Sequence, residues 1–142
     1  MVSIVVATHG HLAESLLEAA AMLLGEEKNI WAIGFFPGDS TEHLLLQFQN
    51  ILNKFENEDI LILTDILGGS PFNTAARLAI ENSHIEVISG INLPILLDII
   101  QNRTDMNLNT LVSHVINISA DTITTLSKNI NHNQNDLQEE EL

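Results

Sequence analysis

The chain contains no cysteine, which removes disulfides, thiolate nucleophiles and cysteine-type zinc sites from any account of its fold or chemistry. Basic residues are almost as scarce. Lys28, Lys54, Arg77, Arg103 and Lys128 stand against 19 acidic residues, giving a formal net charge of −14. Such a surface repels phosphate backbones and anionic lipid, so nucleic acid is not an expected partner, whereas a protein with a basic patch would be steered toward it. The same acidity also serves plain solubility. Long apolar runs are missing too. Glu14, Glu18, Asp65, Glu86 and Asp98 interrupt every apolar stretch before it reaches the roughly 18 to 20 residues of a spanning helix. Met1 to Val6 carries no Lys or Arg ahead of its apolar segment, which does not suit a secretory signal. A soluble, cytoplasmic protein is the expectation.

What is present is apolar material for one compact core: 142 residues, 45% of them hydrophobic, point to a single domain. Ser3 to Thr8 is a β-branched apolar run that reads as a buried strand. From Leu12 the positions Leu12, Leu16, Ala19, Ala20 and Leu23 recur at helical spacing, and Gly25 supplies a stop. Ile30 to Phe36 is a second strand, ended by Pro37-Gly38. Asp39-Ser40-Thr41-Glu42 then opens a helix running to about Phe55. Asp59 to Asp65 holds the third strand, and Gly68-Gly69-Ser70-Pro71 leads into a helix to about Glu81, with Ser70 as expected N-cap and Pro71 as first helical residue. His84 to Ser89 is a fourth strand, Pro94 to Gln101 a fourth helix and Leu108 to Asn117 a fifth. Thr122 to Leu126 is β-branched and reads as a late strand, although the same residues could extend the helix. Residues 1–128 form the expected domain. The Asn-, Gln- and acid-rich residues 129–142 are expected to be disordered.

Strands alternating with helices imply a doubly wound α/β fold, with a mostly parallel four-stranded sheet covered on both faces. Ligands of such sheets sit beyond the carboxyl ends of the strands, at the topological switch point. His9 follows strand one and is followed by Gly10, while Asp65 ends strand three at the same edge. A carboxylate on one ring nitrogen fixes the tautomer and leaves the lone pair of the other nitrogen facing outward, as a phosphoryl-accepting histidine requires. Gly68, Gly69 and Ser70 open a helix whose orphan N–H groups and dipole favour an anion. Each element alone also has an ordinary reading, as a turn, a loop cap or a strand-to-helix connection. Their joint placement at one edge carries the inference. His11 invites a two-histidine metal site, but no third ligand lies near it in sequence, so no metal and no cofactor are expected. His43, His84, His114 and His132 read as surface or packing residues.

Ala7-Thr8-His9-Gly10, Phe36-Pro37-Gly38-Asp39, Thr64-Asp65-Ile66-Leu67-Gly68-Gly69-Ser70-Pro71-Phe72-Asn73 and Ser89-Gly90-Ile91-Asn92-Leu93-Pro94 follow the four strands in order. In this the chain resembles the mannose/fructose/sorbose-family enzyme IIA of the sugar phosphotransferase system over about residues 2 to 128. The resemblance implies a phosphotransferase that takes a phosphoryl group from HPr on Nε2 of His9 and hands it to enzyme IIB. Asp65 would hydrogen-bond the other ring nitrogen, and Gly69 and Ser70 would help hold the phosphoryl oxygens. It further implies a homodimer that exchanges a late edge strand, matching Thr122 to Leu126. Sugar choice would belong to membrane components IIC and IID, met only indirectly. Leu67 departs from the aromatic residue of some members, which bears on partner docking. Nothing downstream resembles a IIB domain, so a stand-alone IIA is expected.

Three other readings differ in class. A subunit feeding a dihydroxyacetone kinase would share the fold. A histidine-phosphatase-like hydrolase shares only His-Gly, has Arg where Thr8 stands, and would need arginine clamps from just Arg77 and Arg103. An interaction module would leave His9 structural.

Overall fold

The apolar run at the start of the chain becomes a central strand, β1 (Ser3–His9), in the computed structural model, which describes residues 1–55 and 58–132. It is followed by α1 (Leu12–Leu24), β2 (Ile30–Phe35), α2 (Thr41–Leu52), β3 (Ile60–Thr64), α3 (Ser70–Ile80) and β4 (Ile85–Ser89). α4 (Leu93–Asn102), α5 (Leu108–Ile118) and α6 (Leu126–His132) complete the described order. The four strands are all parallel, in the spatial order β2-β1-β3-β4. The chain therefore turns to one side after β1 and crosses to the other before β3, which puts the switch point between the carboxyl ends of these two strands.

Alternation along the strands divides the core. Ile4 and Val6 of β1, with Leu61 and Leu63 of β3, pack against α1, α4 and α5. Val5, Ala7, Ile60 and Ile62 face Leu44 and Phe48 of α2 and Ala75 of α3. Both faces of β1 and β3 are thus covered, which explains why their sequences are continuously apolar rather than alternating.

Side-chain caps set several helix starts, the one at Ser40 as the sequence suggests. Ser40 accepts the His43 N–H at 3.1 Å, and Asn92 and Asn107 do the same for Ile95 and Thr110, each at 2.9 Å. The helix expected to reach Phe55 instead ends as α2 at Leu52 and tightens into a 3-10 turn, Asn53–Phe55. Ser70 is not the N-cap of α3. Gly69 takes that position without a side-chain bond, and Ser70 is the first helical residue.

No strand forms over Thr122 to Leu126 within the described chain. Ser119–Thr122 is a 3-10 turn closed by the Thr122 hydroxyl on the Ser119 carbonyl at 2.7 Å. Thr125 then caps α6, its hydroxyl accepting the Lys128 N–H at 3.1 Å. The threonines that suggested a strand serve as turn and cap residues, because a hydroxyl competes for backbone groups as readily as its branched carbon favours a sheet. The expected boundary at 128 falls inside α6, and residues 133–142 lie outside the described residues.

Arg103 just beyond α4 is almost wholly enclosed. Its Nη1 donates to the Asn29 carbonyl at 3.2 Å, and its Nη2 to the Lys28 carbonyl at 2.6 Å and the Glu27 carboxylate at 3.3 Å. Its own carbonyl accepts the Val2 N–H at 3.2 Å. The side chain thereby fixes the turn into β2, where Asn29 holds a left-handed φ of 59°. Arg103→Met keeps the apolar stem, strips the Lys28 carbonyl of its donor and leaves the Asn29 carbonyl with only the Ile4 N–H. It is expected to cost about 3 kcal/mol in urea unfolding. A loss under about 1 kcal/mol would show that the turn holds without it.

Candidate functional site

β1 and β3 run side by side with Ala7 opposite Thr64, so the residues just beyond this pair, His9 and Asp65, emerge together at the carboxyl edge. The structure brings them into direct contact. Asp65 Oδ2 lies 2.9 Å from His9 Nδ1 and also accepts the His9 backbone N–H at 3.0 Å. The other oxygen, Oδ1, accepts the Ile66 N–H at 3.0 Å. Burial pulls the Asp65 carboxyl upward, but the hydrogen bonds from the His9 side chain and backbone, with the attraction of the His9 ring, outweigh it and hold the group below its ordinary value of 3.8. Asp65 is therefore a carboxylate at neutral pH. An ionised Asp65 can only accept, so the 2.9 Å contact places the ring proton on Nδ1. Nε2 then carries the lone pair, and among the described residues it has no hydrogen-bond partner.

The imidazole is half exposed while the carboxylate is mostly covered, with side-chain accessibilities of 49% and 16%. The Phe35 ring makes a T-shaped pair with it, at a centroid distance of 6.1 Å and an interplanar angle of 85°. Gly69 lies close to the imidazole Cε1. A Cβ at that glycine would stand 2.8 Å from His9 Cε1. Its φ of −72° suits any residue, so glycine is needed there for space alone. Gly68, by contrast, has a φ of 82° and its carbonyl accepts the Asn73 side-chain N–H at 3.0 Å, which pins the turn. Gly69→Ala is expected to push the ring off Asp65 and abolish the resonance of a hydrogen-bonded Nδ1–H, while the melting temperature moves by only a few degrees. A retained resonance would show that the ring is not held against Gly69.

With Gly69 as N-cap and Pro71 at the second helical position, the N–H groups of Ser70 and Phe72 find no acceptor among the described residues. The Ser70 hydroxyl is likewise unengaged, because it does not cap the helix. Two N–H groups, a free hydroxyl and the positive end of the α3 dipole thus open beside the imidazole, which is a setting for an anion.

Other histidines show what distinguishes this pair. His84 meets Asp59 at 3.1 Å and His114 meets Asp98 at 2.7 Å, so a His–Asp contact is not distinctive by itself. Neither of these stands at the switch point beside a helix N-terminus. His11 points elsewhere, with its ring against Phe36 at 4.9 Å and a loose 3.7 Å approach to Glu14. Among the described residues no three His, Cys, Asp or Glu side chains gather as a metal site would require. Arg103 is committed at the amino end of β1 and Arg77 sits in the last turn of α3, which leaves no arginine clamp for a phosphatase-type pocket. Sequence reasoning gave no role to Thr8, Phe35 and Asn73. Only Asn73 carried a local signal, in its five-residue spacing from Gly68.

The profile of the PTS system fructose IIA component matches residues 3–116. The PTS system fructose-specific EIIA component of Bacillus subtilis is 32% identical, over 92% of this chain and 90% of its own length. The PTS system mannose-specific EIIAB component of Escherichia coli is 43% identical over 73% of this chain. The chain spans about a third of that relative's length, the matched part being 32%. The crystal structure of phosphotransferase system component EIIA from Streptococcus agalactiae superposes with a TM-score of 0.84 at 31% identity, over 90% of this chain and 99% of that one. On profile, sequence and fold together, this chain belongs to the mannose-type EIIA family of the sugar phosphotransferase system.

Proposed function

We propose that the chain is a phosphocarrier that takes a phosphoryl group from the phosphohistidine of HPr on Nε2 of His9 and passes it to an enzyme IIB. The supporting observation is the hydrogen bond between His9 Nδ1 and Asp65 at the switch point, beside the open N-terminus of α3. The Nε2 lone pair attacks the phosphorus of the donor; a nitrogen–phosphorus bond forms on His9 as the donor's own bond breaks, its electron pair returning to the donor imidazole. No proton needs to move. Nδ1 stays protonated, and Asp65 stabilises the positive charge that the ring acquires. The Ser70 hydroxyl and the open N–H groups of Ser70 and Phe72 receive the phosphoryl oxygens. The reverse sequence delivers the group to IIB, a role in keeping with the joined EIIAB name of the E. coli relative.

Leu12, Phe36, Ile66 and Leu67 are exposed around the histidine and offer an apolar collar on which both partners could seat. No helix of the described residues is long and apolar enough to cross a membrane, which suits a cytoplasmic carrier serving IIC and IID through IIB in sugar uptake. Residues 1–128 would be the IIA unit. Incubation with phosphoenolpyruvate, enzyme I and HPr should yield an acid-labile, base-stable phosphoprotein that discharges to a IIB domain. Failure to take up phosphate from phospho-HPr would overturn the reading.

The homodimer belongs to the same proposal. β4 ends the sheet with no strand beside it among the described residues, and Ile123 and Leu126 are 80% and 71% exposed in the segment that follows the 3-10 turn. Ile123 already has extended dihedrals, −114° and 124°. Exchange of this segment onto the β4 edge of a second copy would pair that edge and cover those side chains. Truncation after residue 121 is then expected to turn a dimer into a monomer in sedimentation. A wild-type monomer, or an unchanged dimer on truncation, would exclude the exchange.

A further inference from the structure

Thr8 is completely buried, and its hydroxyl makes two bonds that tie the neighbouring histidine to the first turn of α1. It accepts the Ala13 N–H at 2.7 Å and donates to the His9 carbonyl at 3.1 Å. The first bond replaces a missing cap: His11 occupies the N-cap position of α1 without a side-chain bond, and the Thr8 hydroxyl satisfies an N–H of the first turn that would otherwise be orphaned. The second bond acts on the frame of His9. That residue's backbone N–H is held by Asp65 at 3.0 Å and its carbonyl by Thr8, while the next N–H, of Gly10, is fixed to the Phe35 carbonyl at 2.8 Å. Gly10 turns the chain with a φ of 58°. The rotation axis of the imidazole is thus defined by contacts on both sides of the residue.

We propose that Thr8 is a positioning residue for phosphoryl transfer. Its hydroxyl locks the β1–α1 turn so that the His9 ring meets Asp65 through Nδ1 and presents Nε2 to the partner. The proposal rests on the phosphocarrier reading of His9. Thr64 provides an internal comparison. It too is completely buried and immediately precedes a site residue, Asp65, but its hydroxyl donates to the Ile88 carbonyl of β4 at 3.3 Å, away from the histidine. A role confined to stability would make the two threonines equivalent. A positioning role separates them.

The test compares Thr8→Val, Thr8→Ser and Thr64→Val in transfer from phospho-HPr below their melting temperatures. Thr8→Val keeps the volume and loses both bonds. A displacement of the imidazole by about 1 Å is expected to slow transfer at saturating donor about 10- to 100-fold, with the donor concentration at half-maximal rate unchanged. Thr8→Ser should restore the rate to within about threefold of wild type, since it retains the hydroxyl. Thr64→Val should transfer normally. In parallel, the His9 Nδ1–H resonance should broaden or vanish in Thr8→Val and persist in the other two. Thr8→Val transferring at the wild-type rate, Thr8→Ser as slow as Thr8→Val, or Thr64→Val equally slow would each overturn the proposal. Absence of phosphate uptake by the wild-type protein would instead refute the carrier reading. The Nδ1–H resonance needs no partner, and its persistence in Thr8→Val would still refute the positioning claim.

Discussion

His9→Ala should take up no acid-labile phosphate from phospho-HPr and should remain folded. The ring is half exposed and supports little of either core cluster, so its removal costs stability mainly through Asp65. That carboxylate keeps the backbone N–H groups of residue 9 and Ile66 as donors and can be reached by water once the ring has gone, which limits the loss to about 1 kcal/mol. His11→Ala is the control. Its imidazole lies against Phe36 and is 78% exposed, so transfer should stay near the wild-type rate. Uptake by His9→Ala, or loss in His11→Ala, would move the site.

Asp65→Asn should bind HPr normally and transfer about a hundredfold more slowly or worse. Three donors converge on the two carboxylate oxygens, and an amide has only one acceptor oxygen. Turned toward His9, the amide satisfies the ring but sets its NH2 against the Ile66 N–H and carries no charge to stabilise the phosphorylated imidazole. Turned the other way, it donates to Nδ1, forces the proton onto Nε2 and removes the nucleophile. The variant also has a pH signature. Because the folded-state pKa of Asp65 is depressed below 3.8, its contribution to stability is present above the unfolded value and is lost as pH falls through the folded one. The difference in melting temperature between wild type and Asp65→Asn should therefore persist from neutral pH down to about pH 4 and shrink below it. A difference that stays constant as the pH falls well below about 4, or an unchanged transfer rate, would contradict the role given to the carboxylate.

These two residues were legible in the sequence because they end strands. Continuous apolar runs such as Ile60 to Leu63 announce a sheet covered on both faces, and a parallel sheet directs attention to the residues just beyond its strands. Gly25 and Ser40 likewise marked helix ends through local chemistry. What was not legible depends on groups distant in the chain. In the sequence Arg103 figured only as one of two arginines available for a phosphate clamp, and it is enclosed by a turn more than seventy positions earlier. Thr8 looked like one more β-branched strand residue, since nothing in Ala7-Thr8-His9 shows that its hydroxyl meets Ala13. Ser70 had every local mark of an N-cap, yet the Gly68–Gly69 turn brings the helix in one residue earlier and leaves the hydroxyl unengaged. The segment Thr122 to Leu126 was misread within the chain because threonine serves strands and caps alike, and the choice falls to tertiary context.

The central claim is that Nε2 of His9 is the phosphoryl acceptor while Nδ1 keeps its proton on Asp65. It is tested most directly by phosphorylating protein labelled with 15N at histidine, using phosphoenolpyruvate, enzyme I and HPr, and reading the ring nitrogens and 31P by NMR. The account predicts a single phosphohistidine, with coupling from phosphorus to Nε2 of His9 and a protonated Nδ1. Phosphorus on Nδ1, on His11 or on any other residue would contradict it.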